Sequence, residues 1–198
     1  MFLNIFTPFI PGPSGSDSLK PVVMNIHGGA FTSGTGNDPT FDGGNMASRG
    51  DVVVVDINYR LSTLGFLVLD DGVTNGNFGI ADQVVALEWV KKYIAGFGGD
   101  PNRITVIGQS AGAASVRALL SSPKAIPNIA AAIPMSNLAG FNYATTYSQF
   151  YSISDAVSTV TIPILEEAEC NLPNNTAILA CLRAYDAEAL VSLINVAR

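Results

Sequence analysis

The chain has 198 residues, of which 48% are hydrophobic and 13% charged, a composition that excludes a disordered chain and suits one domain with a sizeable core. Its formal net charge of −6 argues against a nucleic-acid partner, because an acidic chain repels phosphate backbones. No apolar run reaches the roughly 18 residues that a membrane span needs, so no transmembrane segment is expected.

The N-terminal part of the chain predicts three strands. Leu3 to Phe6 is a short strand candidate. The start of the chain lacks the basic region of a signal peptide, so none is predicted there. A loop rich in Pro, Gly and Ser follows over 8–20. Pro21 to Ile26 is typical of a buried strand. Asp51 to Ile57 is apolar on nearly every residue, which indicates a central strand covered on both faces of a parallel sheet.

The following segments alternate between helix and strand. Apolar residues recur from Ile80 to Ile94 at spacings of 4, 3, 3 and 4, which predicts an amphipathic helix that ends at Gly96. The later predicted elements are a turn over 98–101, a strand over 104–107, a helix over 111–120 and short helices near the C-terminus; a short apolar run lies over 129–133. This alternation predicts right-handed crossovers and a mostly parallel sheet. The glycine-rich motifs of nucleotide-binding folds are absent from the sequence.

A serine lies between two glycines where the strand meets the helix. The segment Gly108 to Gly112 reads GQSAG, with Ser110 at its centre. Glycines on either side tolerate the crowded turn that pushes a serine hydroxyl out of the sheet, and the helix directs its N-terminal N–H groups at the same place. The segment therefore predicts a nucleophile, although a serine that merely caps a helix would look similar.

A glycine-rich loop precedes this serine by about 80 residues, where an oxyanion loop belongs. Ile26 to Phe31 reads IHGGAF and follows a predicted strand. Acyl transfer needs N–H donors where the oxyanion forms, and Ala111, directly after the serine, can supply another. Alone, the loop could be an ordinary turn. The two motifs together, in this order, favour an α/β-hydrolase.

Longer segments resemble the type-B carboxylesterase family, which includes cholinesterases and fungal lipases. They read FLNIFTP, VVVVDINYRLSTLGFL, GNFGIADQVVALEWVKKYIAGFGGDPNRITVIGQSAGAASV and CLRAYDAEAL. The resemblance implies a partial α/β-hydrolase fold, with helices on both faces of a mostly parallel central sheet. It also implies that Ser110 is the nucleophile and that Gly29, Ala30 and Ala111 occupy oxyanion positions. The Gly-Gly-Ala form of the loop is closer to some fungal lipases than to cholinesterases.

The triad that this resemblance implies is incomplete. An α/β-hydrolase triad runs Ser, acid, His along the chain, but no histidine follows Ser110. His27 matches a loop position, so we expect it to pack the loop rather than act as the base. The downstream glutamates do not lie in the family's acid motif; they are Glu166, Glu167, Glu169 and Glu188. Residues 1–198 are thus expected to be the central part of one hydrolase domain, without its N-terminal strands and C-terminal half, inactive alone and with exposed apolar sheet edges.

The two cysteines and a sequon indicate a compartment. Two thiols and one histidine do not make a four-ligand zinc site, and no metal or organic cofactor is expected. By resemblance, Cys170 and Cys181 match a disulfide of the family. Asn174 begins a glycosylation sequon between them. Together these features predict a secreted glycoprotein.

The resulting hypothesis is a serine ester hydrolase that acts on a small-molecule or lipid ester through an acyl-enzyme. Its ester and its oligomeric state are not defined by the sequence. One alternative is a non-catalytic adhesion or binding protein with a hydrolase-like domain. The other is a degenerate truncated copy without a stable fold.

Overall fold

Five strands form one sheet in a computed structural model that describes residues 2–12, 18–137 and 151–194. The strands are β1 Leu3–Phe6, β2 Lys20–Ile26, β3 Val53–Ile57, β4 Gly99–Gln109 and β5 Ala131–Met135. Their spatial order is β1-β3-β2-β4-β5. Strands β3, β2, β4 and β5 run parallel to one another, and β1 runs antiparallel to β3. The prediction of a mostly parallel sheet is confirmed.

Strand β3 explains why its sequence is apolar on nearly every residue. It lies between β1 and β2, and all five of its residues are buried. The alternate residues of β2, Val22, Met24 and Ile26, are fully buried as well. In contrast, Ile133 and Met135 of β5 are 51% and 39% exposed. Among the described strands, β1 and β5 each have a neighbour on one side alone.

The predicted turn over 98–101 is wrong. Strand β4 already begins at Gly99, which pairs with Lys20. The carboxylate of Asp100 accepts a hydrogen bond from the backbone N–H of Asn102 (2.8 Å), a local contact typical of turns. Pairing with β2 overrides that local preference, and the register shifts between Lys20 and Val22 as a result.

The described residues form eight α-helices. Their bounds are α1 Gly44–Gly50, α2 Ser62–Phe66, α3 Phe78–Tyr93, α4 Ala111–Leu120, α5 Ile153–Ala156, α6 Ile162–Glu167, α7 Asn175–Ala184 and α8 Ala187–Ser192. A π-helical turn, Val157–Thr161, precedes α6. The helix predicted from the apolar spacing is α3, but it ends at Tyr93, before Gly96. A 3-10 turn, Ile94–Phe97, then continues through Gly96 and is capped by Gly98 (φ 85°). Strand β5 begins two residues after the start of the apolar run over 129–133.

The chain divides into two compact units. The sheet unit comprises 1–59 and 80–138, and it contains all five strands. The helical unit comprises 60–79 and 139–198. Within the part that the structure describes, no helix is long and apolar enough to cross a bilayer.

A disulfide bond lies in the helical unit. It joins Cys170 and Cys181, with an S–S distance of 1.94 Å and a Cα–Cα distance of 5.7 Å, so the expected pair is present. Around Cys170 the helices bury an apolar cluster, whose members are Leu69, Ile164, Leu165, Ala168, Cys170, Ile178, Leu182, Leu190 and Leu193. Asn174, exposed between the cysteines, accepts a hydrogen bond through its Oδ1 from the N–H of Ala177 (2.9 Å) and thereby caps α7.

Candidate active site

Ser110 occupies a strained turn between β4 and α4. Its backbone has φ 57° and ψ −118°, a combination that residues with a side chain rarely adopt. Two hydrogen bonds of 3.0 Å fix this turn. The Ser110 N–H donates to the carbonyl of Met135 in β5, and the Ser110 carbonyl accepts from the N–H of Ala114 in α4. The serine is therefore half-buried at the ends of two parallel strands and at the N-terminus of a helix.

The glycines on either side of this serine allow very close backbone approaches. A Cβ added to Gly108 would lie 2.5 Å from the carbonyl carbon of Gly112. A Cβ added to Gly112 would lie 2.0 Å from the carbonyl oxygen of Ile26. No side chain fits at such distances, so the two glycines bring the start of α4 against the end of β2.

The glycine-rich loop after β2 lies directly beside the serine. A Cβ added to Gly28 would lie 2.7 Å from the carbonyl oxygen of Gln109 and 3.4 Å from the Cβ of Ser110. The next three residues, Gly29, Ala30 and Phe31, have φ values of 108°, 54° and 61°. Such a run of positive φ turns the peptide groups of the loop out of the strand direction.

Ala111 brings a further N–H to the same place. It is the first residue of α4, so its N–H has no acceptor four residues earlier within the helix. The positive end of the helix dipole lies there as well. The structure thus gathers Ser110, Ala111 and the loop that carries Gly29 and Ala30 at the carboxyl ends of β2 and β4.

His27 lies inside this loop and is 5% exposed. Its Nδ1 lies 2.8 Å from the carbonyl oxygen of Gly28, and its ring stacks on Tyr59 with 4.5 Å between the centroids. The Tyr59 hydroxyl donates to the His27 carbonyl oxygen (2.9 Å). Burial lowers the pKa of His27, and the hydrogen bond to Gly28 opposes this in part. This packing was expected for His27, whereas nothing in the sequence pointed to Tyr59.

A cleft of about 250 Å³ next to the loop contains a buried carboxyl group. Asp56 of β3 is 2% exposed and accepts a hydrogen bond from Nδ2 of Asn25, its partner on β2 (2.9 Å). Burial raises the pKa of Asp56 to about 6; the bond from Asn25 lowers it and the nearby charge of Asp42 raises it. Sequence reasoning missed this group, although an acidic residue inside an apolar strand was the available signal.

Other candidate groups lie elsewhere. The four glutamates that follow the serine, Glu166, Glu167, Glu169 and Glu188, are exposed on the helical unit. Within the described ranges, no three His, Cys, Asp or Glu side chains are grouped so that they could hold a metal ion.

Comparisons with known proteins give a consistent result. The family model described as "Carboxylesterase family" matches residues 1–197. Esterase E4 of Myzus persicae is 38% identical over 192 residues, which cover 96% of this chain and 33% of the relative. Neuroligin-2 of Mus musculus is 34% identical over 207 residues, covering 96% of this chain and 24% of the relative. The chain thus spans about a third or less of these relatives.

The solved structures include a carboxylesterase of Geobacillus stearothermophilus. It superposes with a TM-score of 0.81 at 40% sequence identity. The match covers 98% of this chain and 39% of the other. A likeness at this identity and coverage concerns the fold and the order of the elements described above.

Proposed function

Because the chain belongs to the carboxylesterase family, we propose that it supplies the nucleophile and the oxyanion donors of a carboxylic ester hydrolase. The observation that carries this proposal is the strained Ser110, held between β5 and α4 and in close contact with Gly28 of the glycine-rich loop. Strain of this kind, at a junction of helix N-terminus and oxyanion loop, is typical of an activated serine.

In the proposed reaction, Oγ of Ser110 attacks the ester carbonyl carbon while its proton passes to a histidine base. The negative oxygen that forms accepts hydrogen bonds from the N–H groups of Gly29, Ala30 and Ala111. The ester C–O bond then breaks, and the alcohol leaves with the proton held by the histidine. Water attacks the acyl-enzyme by the same route, which releases the carboxylic acid and restores the serine.

The histidine and the acid of the triad are proposed to lie beyond Arg198 in a longer protein, of which residues 1–198 form the central part. The chain supplies no histidine after Ser110, and His27 has its ring packed inside the loop. The proposed substrate is a small-molecule or lipid ester, with no nucleic-acid partner and no metal or organic cofactor. The disulfide and the exposed Asn174 support a secreted, glycosylated protein.

A non-catalytic binding protein with the same fold is the second candidate. Its support is the similarity to neuroligin-2, whose name is not that of an esterase. The strained serine favours the hydrolase, because a binding module has no need of it.

Hydrolysis of a short p-nitrophenyl ester tests the proposal. Loss of triad members leaves at most about 10³–10⁴-fold acceleration over water, so we expect almost no turnover from the 198-residue chain. The longer protein is expected to turn over the ester and to be labelled by a fluorophosphonate at Ser110. Ser110→Ala should abolish both, whereas Ser121→Ala, an exposed serine at the other end of α4, should abolish neither.

Ordinary turnover by the 198-residue chain that disappears in Ser110→Ala would refute the assignment of the base to a distant histidine. A longer protein that shows no labelling at Ser110 would favour the binding protein instead.

A further inference from the structure

We propose that His27 is a positioning residue, which holds the Gly29 N–H in the oxyanion direction by donating a hydrogen bond from Nδ1 to the Gly28 carbonyl. Its effect on catalysis rests on the proposed ester hydrolysis. The tautomer and the hydrogen bond themselves do not depend on that function.

The contact between His27 and Gly28 defines which ring nitrogen carries the proton. A carbonyl oxygen can only accept, so at 2.8 Å the Nδ1 of His27 must be the donor. Within the described residues, Nε2 of His27 is buried without a hydrogen-bond partner. A bare nitrogen tolerates this situation better than a buried N–H or a charged ring would, since either would need an acceptor.

The same contact orients the peptide group that follows. In a trans peptide the carbonyl of Gly28 and the N–H of Gly29 lie in one plane and point in opposite directions. When His27 holds that carbonyl on the inside of the loop, the Gly29 N–H is directed away from the ring. Gly29 is one of the three proposed oxyanion donors, so the ring controls the orientation of a group that stabilises the transition state.

Tyr59 fixes the preceding peptide group in the same way. Its hydroxyl donates to the His27 carbonyl (2.9 Å), and its ring stacks on the imidazole at an angle of 20° between planes. Tyr59 follows β3, so the loop is tied to a strand next to the one from which it emerges. The peptide groups on both sides of Gly28 are therefore fixed.

Gly34 closes the loop over the imidazole. Its φ is 102°, and an added Cβ would lie 2.5 Å from both the Nδ1 of His27 and the carbonyl oxygen of Gly28. While an aromatic ring occupies position 27, such close packing leaves no room for a water molecule beside that carbonyl. The side chain at position 27 is therefore expected to be the donor.

The tautomer can be read directly, because His27 is the only histidine in the chain. Imidazole nitrogens labelled with ¹⁵N distinguish a protonated from a bare nitrogen, and Nε2 is identified by its coupling to both ring C–H protons. We expect a protonated Nδ1 and a bare Nε2 at neutral pH, whereas free histidine favours protonated Nε2. A protonated Nε2, or rapid averaging of the two, would overturn the proposal. Solid-state spectra of the sedimented chain provide the same assignment if it self-associates.

Two variants in the longer protein separate the hydrogen bond from ring packing. His27→Phe keeps a stacked ring and loses the donor, whereas the amide of His27→Asn can donate from the place of Nδ1. We expect kcat to fall about tenfold or more in His27→Phe with little change in KM, because an oxyanion donor acts mainly on the transition state. His27→Asn should recover much of this loss.

Equal kcat in His27→Phe and the unchanged protein would contradict the proposal, as would equal losses in both variants. Tyr59→Phe, which removes only the hydroxyl that donates to the His27 carbonyl, should lower kcat less than His27→Phe does. If the longer protein hydrolyses no ester at all, the proposed function fails, while the NMR result still decides the role of His27 in the loop.

Discussion

The sheet unit and the helical unit are stabilised in different ways. In the sheet unit, parallel strands bury alternate residues completely, and glycines bring main chains into direct contact. In the described part of the helical unit, four of the five α-helices have six residues or fewer, too short to be stable by themselves. A disulfide there joins the segment before α7 to α7 itself. Every residue proposed to touch the substrate lies in the sheet unit. The proposed oxyanion N–H groups are positioned by direct contacts between main chains. The short helices, by contrast, are held together by side-chain packing and one disulfide.

The largest expected effect comes from breaking a backbone contact of the sheet unit. Gly112→Ala would place a Cβ 2.0 Å from the Ile26 carbonyl oxygen, so α4 and β2 must separate. We expect the free energy of unfolding to fall by about 3 kcal/mol or more. In the longer protein, fluorophosphonate labelling of Ser110 should be lost as well. The control is Gly96→Ala, where nothing lies within 4 Å of the added Cβ. Urea denaturation of both variants measures the change in the free energy of unfolding. A loss in Gly112→Ala alone would show that the close contact, rather than the replacement of a glycine as such, causes the destabilisation.

Opening the disulfide tests the helical unit. Closing a ring of this size contributes about 3 kcal/mol in the chain-entropy model. The double variant Cys170→Ala and Cys181→Ala should therefore exchange its α7 amides faster, while the amides of β3 keep their protection. Hydrogen exchange of the oxidised chain, before and after reduction and alkylation, serves as the control. Equal loss of protection in β3 would show that the two units do not differ in the way described here.

The smallest effect, about 2 to 3 kcal/mol at most, concerns the buried carboxyl of Asp56. Its pKa is about 6 in the folded chain against an ordinary 3.8, so the folded state favours the protonated form. Its contribution is fully present below about pH 4 and is lost as the pH rises through 6. Asp56→Asn should remove this dependence and raise the stability at pH 7 to 8.

Denaturation midpoints between pH 4 and 8 would measure this change. Asp42→Asn is the matched control. It removes a charge that raises the pKa of Asp56, and the amide oxygen that it introduces can still accept the hydrogen bond from the Gly44 N–H. Its effect on the pH dependence of stability should therefore have the same sign as that of Asp56→Asn and be smaller. A steeper pH dependence in Asp56→Asn would contradict the assigned burial.

Sequence patterns predicted the elements that local rules determine. Three such patterns arise from residues that are close together in the sequence. They are the apolar run of β3, the 4-3-3-4 spacing in α3 and the two glycines around Ser110. The start of β4 was missed because the turn chemistry of Asp100 is local, while its pairing with Lys20 is set by a strand about 80 residues away.

The supporting contacts of the candidate site were missed for the same reason. Tyr59 reaches His27 across 32 residues, and Asn25 reaches Asp56 across 31. No periodicity within one segment encodes such a pair, because it exists only once β2 and β3 lie side by side. The nucleophile motif is visible in the sequence, whereas the residues that hold its surroundings become visible in the fold.

The positive φ of Ser110 affects which substitutions evolution can accept at this position. Glycine adopts a positive φ without steric conflict, so Ser110→Gly would relieve strain of order 1–3 kcal/mol, whereas alanine would keep it. A lineage that no longer hydrolysed esters would gain stability by this one exchange, and selection for folding alone would favour it. Glycine at this position in a related chain would therefore mark release from catalysis, and a retained serine would mark continued selection for the reaction.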